Sequence, residues 1–155
     1  MLMLCFSLGD ERFALEASKV QEITPLVRMK KIPKSPEWVA GIMRYHGRTL
    51  PVIDLCMLNL ARSSERRLST RIILVHFTSH DQSERLLGLV AEQVTETIQR
   101  QMEDFTSTGL STPDAPHLGG TTSDSDGMLQ WIDIDRLLPE HVQSLLFQNE
   151  QEVRQ

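Results

Sequence analysis

Aromatic residues and cysteines are both scarce in this chain. Phe, Trp and Tyr together make up 5% of its 155 residues, and there are only two cysteines, Cys5 and Cys56. Both lie among apolar neighbours and far apart in the sequence, so they provide neither a disulfide framework nor a metal-ligand spacing. We expect buried, reduced thiols. Trp38 and Trp131 lie at or inside apolar runs and are expected to anchor the core or an interface between two lobes.

The sequence also lacks an excess of positive charge and any long apolar run. Its formal net charge is −5, whereas a surface that tracks nucleic-acid phosphates needs clustered Lys and Arg. The basic residues form two local clusters, at 28–34 and 62–71, which are typical of solvated loops. No apolar stretch approaches the roughly 18 residues of a membrane span, and the N-terminus lacks a basic start. We expect a cytoplasmic protein that binds no nucleic acid and does not insert into the membrane.

Motifs for catalysis are missing too. The chain contains no Gly-x-Ser-x-Gly, Gly-x-x-x-x-Gly-Lys or Gly-x-Gly-x-x-Gly pattern, and its five histidines are scattered. Residues at EF-hand offsets do occur, at Thr122, Asp124, Asp126, Gly127 and Asp133. However, Thr is unusual at position one, position twelve requires Glu, and a strand pattern follows where a helix should begin, so an Asp-Gly turn is the simpler interpretation. We predict no enzymatic activity, no cofactor and no metal site.

What the chain does contain is a well-specified β-hairpin within residues 41–55. Two apolar runs, 42–45 and 50–53, flank a Gly-Arg-Thr connection, which predicts two strands with a tight turn at Gly47. Pro51 has no backbone donor, so we expect the second strand to run at a sheet edge or to begin next to Pro51. An edge strand would be available to a partner.

A second segment repeats this design. Residues 120–133 contain a glycine, a short polar stretch, a second glycine and an apolar run that ends on Ile-Asp, as residues 41–54 do. An apolar triplet followed by Val-x-Glu also occurs twice, at 13–15 with 20–22 and at 87–89 with 94–96. The alternative is that a glycine and an apolar run closing on Ile-Asp are a common way to end a hairpin. We favour an internal duplication, in which one unit is used twice.

The other segments predict short strands, turns and a terminal helix. Alternation predicts a hairpin over 2–16, a β-branched run predicts a buried central strand over 72–75, and helical spacing predicts a helix over 139–147. Further predictions are turns with helical character at 18–23, 35–41 and 92–98, a short strand at 26–29, a brief helix or turn at 55–60, loops at 61–70 and 78–84, strands at 85–91 and 128–134, and a long mobile loop at 107–126.

The order of these motifs resembles that of the CheW-type chemotaxis coupling proteins. The residues that carry the resemblance are Phe13-Ala14-Leu15, Val20-Gln21-Glu22-Ile23, Pro36-Glu37-Trp38-Val39 with Gly41, and Pro51-Val52-Ile53-Asp54-Leu55. The match covers nearly the whole chain and is loose after Ser107. It implies an all-β fold, mainly β with short helices, in which two small five-stranded β-barrels share a hydrophobic core and a C-terminal helix follows.

The resemblance also implies boundaries and partners. One domain would span residues 1–147, with sub-barrels over roughly 10–68 and 69–147 that can share the N-terminal strand, and a polar tail at 148–155. Proteins of this type are non-catalytic adaptors. One barrel is expected to dock the regulatory domain of a CheA-like histidine kinase, and the groove between barrels to hold the cytoplasmic tip of a methyl-accepting chemoreceptor. The protein would then be recruited to membrane receptor clusters.

Two sets of residues are predicted to bind these partners. The receptor set consists of the positions that match the family groove: Val20, Glu22, Gly41, Arg44 and His46. Gly41 is expected to allow a close backbone approach there. The kinase set consists of apolar residues around a proline with charged residues nearby: Ile23, Leu26, Val27 and Met29. The alternative is that some of these side chains only fill the barrel.

One departure from the family pattern lies in the first strand of the hairpin. The family sequence Asn-Leu-Arg-Gly is replaced by Arg44-Tyr45-His46-Gly47, so a histidine occupies the arginine position. The resemblance implies that this position faces Glu22, and a Glu22–His46 pair would depend on pH; an unpaired, solvent-facing His46 is the alternative. The departure is typical of a specialised paralogue with its own receptor and kinase, as in surface-sensing systems of the Wsp type, although swimming chemotaxis stays open.

A competing function follows from the same architecture. Five-stranded barrels of the OB type bind oligosaccharides, nucleic acids or small ligands. Stacking aromatics are missing from the strand faces of this chain, and its charge has the wrong sign for nucleic acid. We therefore predict an interaction scaffold, with an OB-like binder of a small ligand or oligosaccharide as the alternative.

Overall fold

The alternation of residues near the N-terminus forms a β-hairpin, as predicted. In the computed structural model, which describes residues 1–107 and 114–153, β1 (Leu2–Leu8) pairs antiparallel with β2 (Glu11–Glu16). Leu4 enters one apolar cluster and Cys5 another, so both faces of β1 are buried. This explains why the strand is apolar on both sides.

Nine strands and two α-helices form the regular structure of the described residues. The remaining strands are β3 (Val20–Pro25), β4 (Val39–Tyr45), β5 (Arg48–Asp54), β6 (Arg71–Thr78), β7 (Glu84–Gln99), β8 (Leu118–Asp124) and β9 (Gly127–Ile132). The helices are α1 (Leu55–Leu60) and α2 (Glu140–Val153). The prediction of a mainly β fold with a C-terminal helix is confirmed.

Strand β7 joins two five-stranded units. Its first half pairs with β6 and, in parallel, with β5, which gives the first unit the order β4-β5-β7-β6-β3. From Glu92 onward it pairs with β1, which gives the second unit the order β7-β1-β2-β9-β8. Because β7 belongs to both units, the two cannot separate as independent bodies.

Backbone contacts next to two glycines support the internal duplication. The residue after Gly41 exchanges hydrogen bonds with Lys30 at 2.8 and 3.0 Å, and the residue after Gly120 does the same with Thr106 at 2.9 Å. A Cβ atom would lie 2.5 Å from the Lys30 carbonyl oxygen at Gly41 and 2.8 Å from the Thr106 carbonyl oxygen at Gly120. Both positions therefore require glycine.

The ends of the two hairpins also correspond. The Asp54 N–H donates to the Trp38 carbonyl and the Asp133 N–H to the His117 carbonyl, both at 2.8 Å. Each aspartate side chain then accepts backbone N–H groups of the helical segment that follows, α1 in one case and a 3-10 turn in the other. The echo seen in the sequence thus reflects one hydrogen-bonded unit used twice.

Three apolar clusters fill the molecule. The largest combines residues of both units with the two helices, and its fully buried members include Leu15, Ile53, Leu87 and Leu89. The other two lie within single units: Met43, Leu50, Val52, Ile72, Leu74 and Val90 in the first, and Met3, Cys5, Ala14 and Leu129 in the second. The shared hydrophobic core that the resemblance implied is present.

Two segments predicted as turns are strands. Ser18 and Gln21 fit a capping-box pattern, but only Ala17–Lys19 forms a 3-10 turn, without a side-chain cap, and β3 begins at Val20. The corresponding segment 92–98 continues β7. In both places the chain gains backbone hydrogen bonds to a neighbouring strand, and these outweigh the local helical preference.

Other local predictions were wrong in part. Residues 26–29 form no strand, and residues 35–38 form turns without a helix. β5 is not an edge strand, since β4 pairs with it on one side and β7 on the other. The ladder with β7 starts at Val52, just after Pro51, so the missing donor of the proline leaves no gap in that ladder.

The predicted loop at 107–126 contains a strand. β8 occupies residues 118–124 because this stretch of small residues pairs with β9, whereas residues 108–113 lie outside the described residues. The predicted tail at 148–155 is also helical as far as Val153, and the last two residues lie outside the described part.

Strand pairing crosses the predicted boundary between residues 68 and 69. β3 pairs with β6, β5 with β7, and β2 with β9, so each five-stranded unit takes strands from both halves of the chain. Within the described residues, no helix combines the length and apolar character that a membrane crossing needs.

Candidate functional site

A groove runs between the β4–β5 hairpin and α2, and we call it the hairpin–helix groove. Its volume is about 610 Å³. Apolar side chains from the segment before β4, from the hairpin and from the helix form its floor and walls: Ile32, Pro33, Ile42, Leu50, Pro51, Leu145, Leu146 and Phe147. It is the candidate functional site because it joins apolar surface from three separate segments.

The hairpin wall follows from strand alternation. Met43 points into the cluster of the first unit, so its neighbour Ile42 faces the other way, opposite Pro51 on β5. His46 and Gly47 connect the strands with φ values of 49° and 78°, the type I′ geometry that keeps a two-residue hairpin tight. The turn therefore sets Gly47 at the end of the groove.

The helix wall is fixed by the shared core. Leu146 and Phe147 are buried in the largest cluster, whereas Leu145 is only partly buried and lines the groove. The Phe147 ring packs against Phe77 with 5.5 Å between centroids and lies 5.2 Å from the Arg85 guanidinium carbon. Aromatic and cation–π contacts on the side away from the groove thus fix the position of this wall.

The rim of the groove is basic. Lys30, Lys31 and Arg48 line it and are exposed, and no Asp or Glu lines it among the residues whose side chains the structure describes. Among the described residues, none of these three cations lies in an ion pair within 4.0 Å. In a chain with a net charge of −5 this is a local reversal of sign. An apolar floor with a basic rim suits an amphipathic segment that carries carboxylates beside its apolar stripe.

The predicted receptor set lies partly beside this groove. Arg44 and His46 are exposed on the hairpin, and Arg44 stands opposite Thr49, which lines the groove. Val20 and Glu22 lie on β3, where Val20 packs against the largest cluster and Glu22 is exposed. The structure brings the hairpin residues to one wall, and the role of the set in receptor binding stays a prediction.

Gly41, the fifth member of the receptor set, is buried. The backbone that approaches it closely is that of Lys30 in the same chain, with a backbone φ of 146° at the glycine. The close approach that we predicted for a partner is therefore made internally. A substitution at Gly41 reports on folding before it reports on binding.

Glu22 interacts with Tyr45 and forms no pair with His46. Hydrogen bonding to the Glu22 carboxylate raises the pKa of the Tyr45 hydroxyl. The His46 ring packs edge-on against the Tyr45 ring, with 4.4 Å between centroids. No ion pair within 4.0 Å joins Glu22 to His46 in the described part of the chain. Tyr45, at the leucine position of the family pattern, thus takes the contact that we considered for His46.

The predicted kinase set divides into exposed and partly buried residues. Ile23 and Val27 are 41% and 38% exposed. Leu26 and Met29 instead pack against the apolar cluster of the first unit. Ile23 and Val27 are therefore the more accessible members of the set, and the assignment of this face to a kinase stays a prediction.

The groove residues outside the predicted sets were missed for two reasons. Lys30 and Lys31 were predicted to lie in a solvated loop. The sequence does not show that they lie close to α2, because that proximity arises only when the chain folds. Leu145 lies in the helix predicted over 139–147, and the sequence does not show that this helix borders the hairpin. A usable signal was the width of the apolar stripe on α2. Val142, Leu145 and Leu146 make this stripe wider than the part of the helix surface that packs on the core.

The thiols and carboxylates considered for chemistry have structural surroundings. Burial raises the pKa of Cys5 and Cys56 to about 11, which keeps both thiols protonated at neutral pH. Asp124, from the EF-hand-like series, accepts two hydrogen bonds from Arg12 at 2.7 and 2.9 Å, which lower its pKa to about 2. Within residues 1–107 and 114–153, no group of three or more His, Cys, Asp or Glu side chains could hold a metal ion.

Comparisons with known proteins agree with one another. The model of the CheW-like domain family matches residues 2–142. The chain is 26% identical over 149 residues to the chemotaxis protein CheW of Klebsiella aerogenes, which covers 92% of this chain and 84% of that protein. It is 27% identical over 89 residues to protein PilI of Pseudomonas aeruginosa, over 57% of this chain and 47% of that protein. The crystal structure of the scaffolding protein TtCheW from Thermoanaerobacter tengcongensis matches with a TM-score of 0.78 and 27% identity, over 91% of this chain and 89% of that one.

Proposed function

This chain belongs to the CheW-like domain family, and we propose that it couples a chemoreceptor-type sensor to a CheA-like histidine kinase. Proteins of this family are non-catalytic scaffolds of chemotaxis-type signalling, and that is the general function of this chain. The family match favours the scaffold over the OB-like binder of a small ligand or oligosaccharide. What remains to be proposed is which surface meets which partner.

The hairpin–helix groove supports the receptor contact best. The apolar floor, formed by residues such as Ile42 and Leu145, suits the apolar stripe of an amphipathic helix. Carboxylates beside that stripe pair with Lys30, Lys31 and Arg48 on the rim. We therefore propose that the groove binds the helical, acidic-flanked cytoplasmic tip of a methyl-accepting chemoreceptor.

The kinase contact is proposed for the exposed apolar side chains on and after β3. Ile23 and Val27 lie on either side of Pro25, and Arg28 beside them is exposed and charged. An apolar centre with a charged rim is the usual composition of a protein interface. With a kinase regulatory domain here and a receptor tip in the groove, the chain is recruited to receptor clusters at the cytoplasmic side of the membrane.

The receptor contact is tested by reversing one charge of the groove rim. Arg48→Glu repels an acidic helix and should weaken binding of a purified receptor cytoplasmic fragment about tenfold, measured by calorimetric titration. Arg136→Glu is the matched control, because Arg136 is also an exposed arginine and does not line the groove. Equal affinities of the wild type and Arg48→Glu would contradict the groove assignment.

The kinase contact is tested at Val27. Val27→Asp should abolish binding of the regulatory domain of the CheA-like kinase while circular dichroism shows an unchanged fold. If the variant unfolds, Val27 belongs to the core and the proposed face is wrong. A wild-type chain that binds neither the kinase domain nor the receptor fragment would contradict the adaptor function itself.

A further inference from the structure

A buried glutamine lies in the helix that forms one wall of the hairpin–helix groove. Gln143 of α2 is 5% exposed, whereas the other buried side chains described in this helix, Val142, Leu146 and Phe147, are apolar. Burying an amide is costly unless its donor and its acceptor both find partners. The partners of Gln143 therefore indicate what this side chain does that an apolar one could not.

Both ends of the Gln143 amide are hydrogen-bonded. Its Oε1 atom accepts from the His80 backbone N–H at 2.9 Å and from His80 Nδ1 at 3.0 Å, and its Nε2 atom donates to the Leu138 carbonyl at 2.9 Å. A backbone N–H can only donate, so the amide atom that faces it is the oxygen, and the ring nitrogen beside it carries a proton. One side chain thus joins α2 to the β6–β7 loop, residues 79–83, and to the segment just before the helix.

The β6–β7 loop is a fixed point for this contact. Ser79 is 5% exposed, its N–H donates to the Ser83 carbonyl at 2.9 Å, and its hydroxyl bonds the Asp81 carboxylate. The Ser83 N–H donates to the same carboxylate at 3.0 Å, and the β6–β7 ladder continues to the base of the loop at Thr78 and Glu84. His80 is therefore held by the central strands of the first unit.

Gln143 and the groove residue Leu145 lie on opposite flanks of α2. Side chains two positions apart on a helix point about 200° apart, and the buried stripe of Val142 and Leu146 runs between these two. Apolar contacts are non-directional, so a helix that packs only through such a stripe can roll or slide with little loss. The hydrogen bonds of Gln143 are directional and oppose both movements.

The position of Leu145 in the groove depends on this anchor. Leu145 lines the groove across from the β4–β5 hairpin, whereas Gln143 does not line it. The hairpin and the β6–β7 loop belong to the same unit, because β5 pairs with β7. By fixing α2 to this loop, Gln143 also fixes the helix wall relative to the hairpin wall.

We propose that Gln143 is a positioning residue for the receptor contact, because its hydrogen bonds to His80 hold α2 in the register that sets Leu145 against a bound helix. The inference rests on the proposed function, since it concerns the groove assigned there to the receptor tip. It adds a residue that does not touch the partner and acts through the wall that does. Sites of this kind lose affinity when the residues that support them are loosened.

The first test is a calorimetric titration of the intact chain with the purified receptor cytoplasmic fragment. Gln143→Leu keeps the size of the side chain and removes its hydrogen bonds, so the affinity should fall about fivefold while the affinity for the kinase regulatory domain stays unchanged. Gln130→Leu is the matched control, because Gln130 also donates to a backbone carbonyl, that of Gly119 at 3.1 Å, and lies on β9 away from the groove. It should bind the receptor fragment like the wild type.

A double-mutant cycle separates positioning from a general structural role. Leu145→Ala removes the wall contact and should itself weaken receptor binding about fivefold. If Gln143 acts through Leu145, the change Gln143→Leu should cost less than about twofold in the Leu145→Ala background. Independent effects would multiply, and the full fivefold loss in that background would overturn the inference.

Variants of His80 test the same contact from the exposed side. The His80 side chain is 41% exposed, so its substitution keeps the fold. His80→Ala removes the ring donor and leaves the backbone donor, and should weaken receptor binding about twofold. His80→Asn supplies a side-chain N–H in place of Nδ1–H and should restore the affinity.

The remaining outcomes each overturn the inference. Wild-type receptor affinity in Gln143→Leu, or in His80→Ala if Gln143→Leu unfolds, excludes a positioning role; the groove assignment itself then still stands if Arg48→Glu weakens binding. An equal loss in Gln130→Leu, or an equal loss of kinase affinity in Gln143→Leu, assigns the effect to general stability. A wild-type chain that does not bind the receptor fragment contradicts the receptor half of the proposed function, and the inference with it.

Discussion

Glu92 is a carboxylate held where β7 passes from one five-stranded unit to the other. Burial opposes its ionisation, but hydrogen bonds from Arg62, the Glu65 N–H and the Gly9 N–H outweigh this effect and lower the pKa of Glu92 to about 2. One side chain thereby ties together the turn after β1, the loop between α1 and β6, and the shared strand. Glu92 therefore lies where β7 passes between the units and also fixes the two loops that surround this point.

We expect Glu92→Gln to lower the free energy of unfolding at pH 7 by about 2 to 3 kcal/mol, because it removes a buried charge with three donors left facing it. The folded pKa lies below the reference value of 4.5, so the contribution of the charge is complete above about pH 4.5 and disappears as the pH falls through about 2. Urea unfolding at pH 7, 4 and 3 should therefore show the wild type and the variant converging. If the difference in unfolding free energy between the two proteins stayed constant over this pH range, the loss would arise from packing.

His117 also makes stability fall with decreasing pH, but in a higher pH range. It is 3% exposed, its Nε2 donates to Asn59 Oδ1 at 2.9 Å, and burial lowers its pKa. The unfolded chain therefore takes up a proton near pH 6.5 while the folded chain does not, and stability falls as the pH drops through 6.5. His117→Gln should lose less stability than the wild type between pH 7.5 and 5.5 in thermal unfolding. Parallel losses in both proteins would assign the effect to other groups.

At the scale of elements, alanine substitutions can test whether Gly41 and Gly120 have the same structural role. Gly41→Ala should destabilise the chain by about 3 kcal/mol, since its Cβ meets the Lys30 carbonyl at 2.5 Å and its φ is 146°. Gly120→Ala meets the Thr106 carbonyl at 2.8 Å and should cost about 2 kcal/mol. A Cβ atom at Gly47 would meet no other atom, so Gly47→Ala should destabilise the chain only through its positive φ, by about 1 kcal/mol. Urea unfolding would establish the order, and a Gly47→Ala loss as large as that of Gly41→Ala would contradict the steric argument.

Elements specified by local patterns were the predictable ones. The hairpins, the buried strand around Ile73 and the helix after Pro139 follow from alternation, β-branched runs and helical spacing, which neighbouring residues alone determine. Strands β3 and the second half of β7 were predicted as turns because their residues fit a cap as well as a strand, and only the partners β6 and β1 decide between the two. β8 was hidden by its composition, since Gly119 and Gly120 are needed for close contact with Trp131 and Thr106.

The candidate site was predictable only where it lies on the hairpin. The family pattern marks Arg44 and His46, which lie on the hairpin beside the groove, and their role in receptor binding stays a prediction. Leu145 and Lys30 were not predicted as site residues, because α2 and the segment before β4 meet only after the whole shared core has formed. Tyr45 was passed over because nothing in the sequence shows that its hydroxyl reaches Glu22 on a different strand.

At the scale of the whole molecule, the exchange of strands between the halves creates a scaffold with two separated surfaces. The hairpin–helix groove borders β4 and β5, whereas β3, which carries Ile23, lies at the other edge of the same five-stranded unit. Because both surfaces are fixed to one sheet, the fold sets their separation. This geometry suits a protein that holds a sensor and a kinase at a defined distance.

The same exchange of strands predicts that neither half of the chain folds alone. Cutting between residues 68 and 69 leaves β3, β4 and β5 without β6 and β7, and leaves β8 and β9 without β1 and β2. Each half then exposes the apolar faces that form the shared cluster, which takes residues from both sides of the cut. The separate fragments 1–68 and 69–155 should show collapsed amide dispersion in NMR spectra, whereas the intact chain should unfold in one cooperative transition. A well-dispersed spectrum from either fragment would mean that the two five-stranded units are folding domains in their own right, and that the pairing across the cut adds stability without being needed for structure.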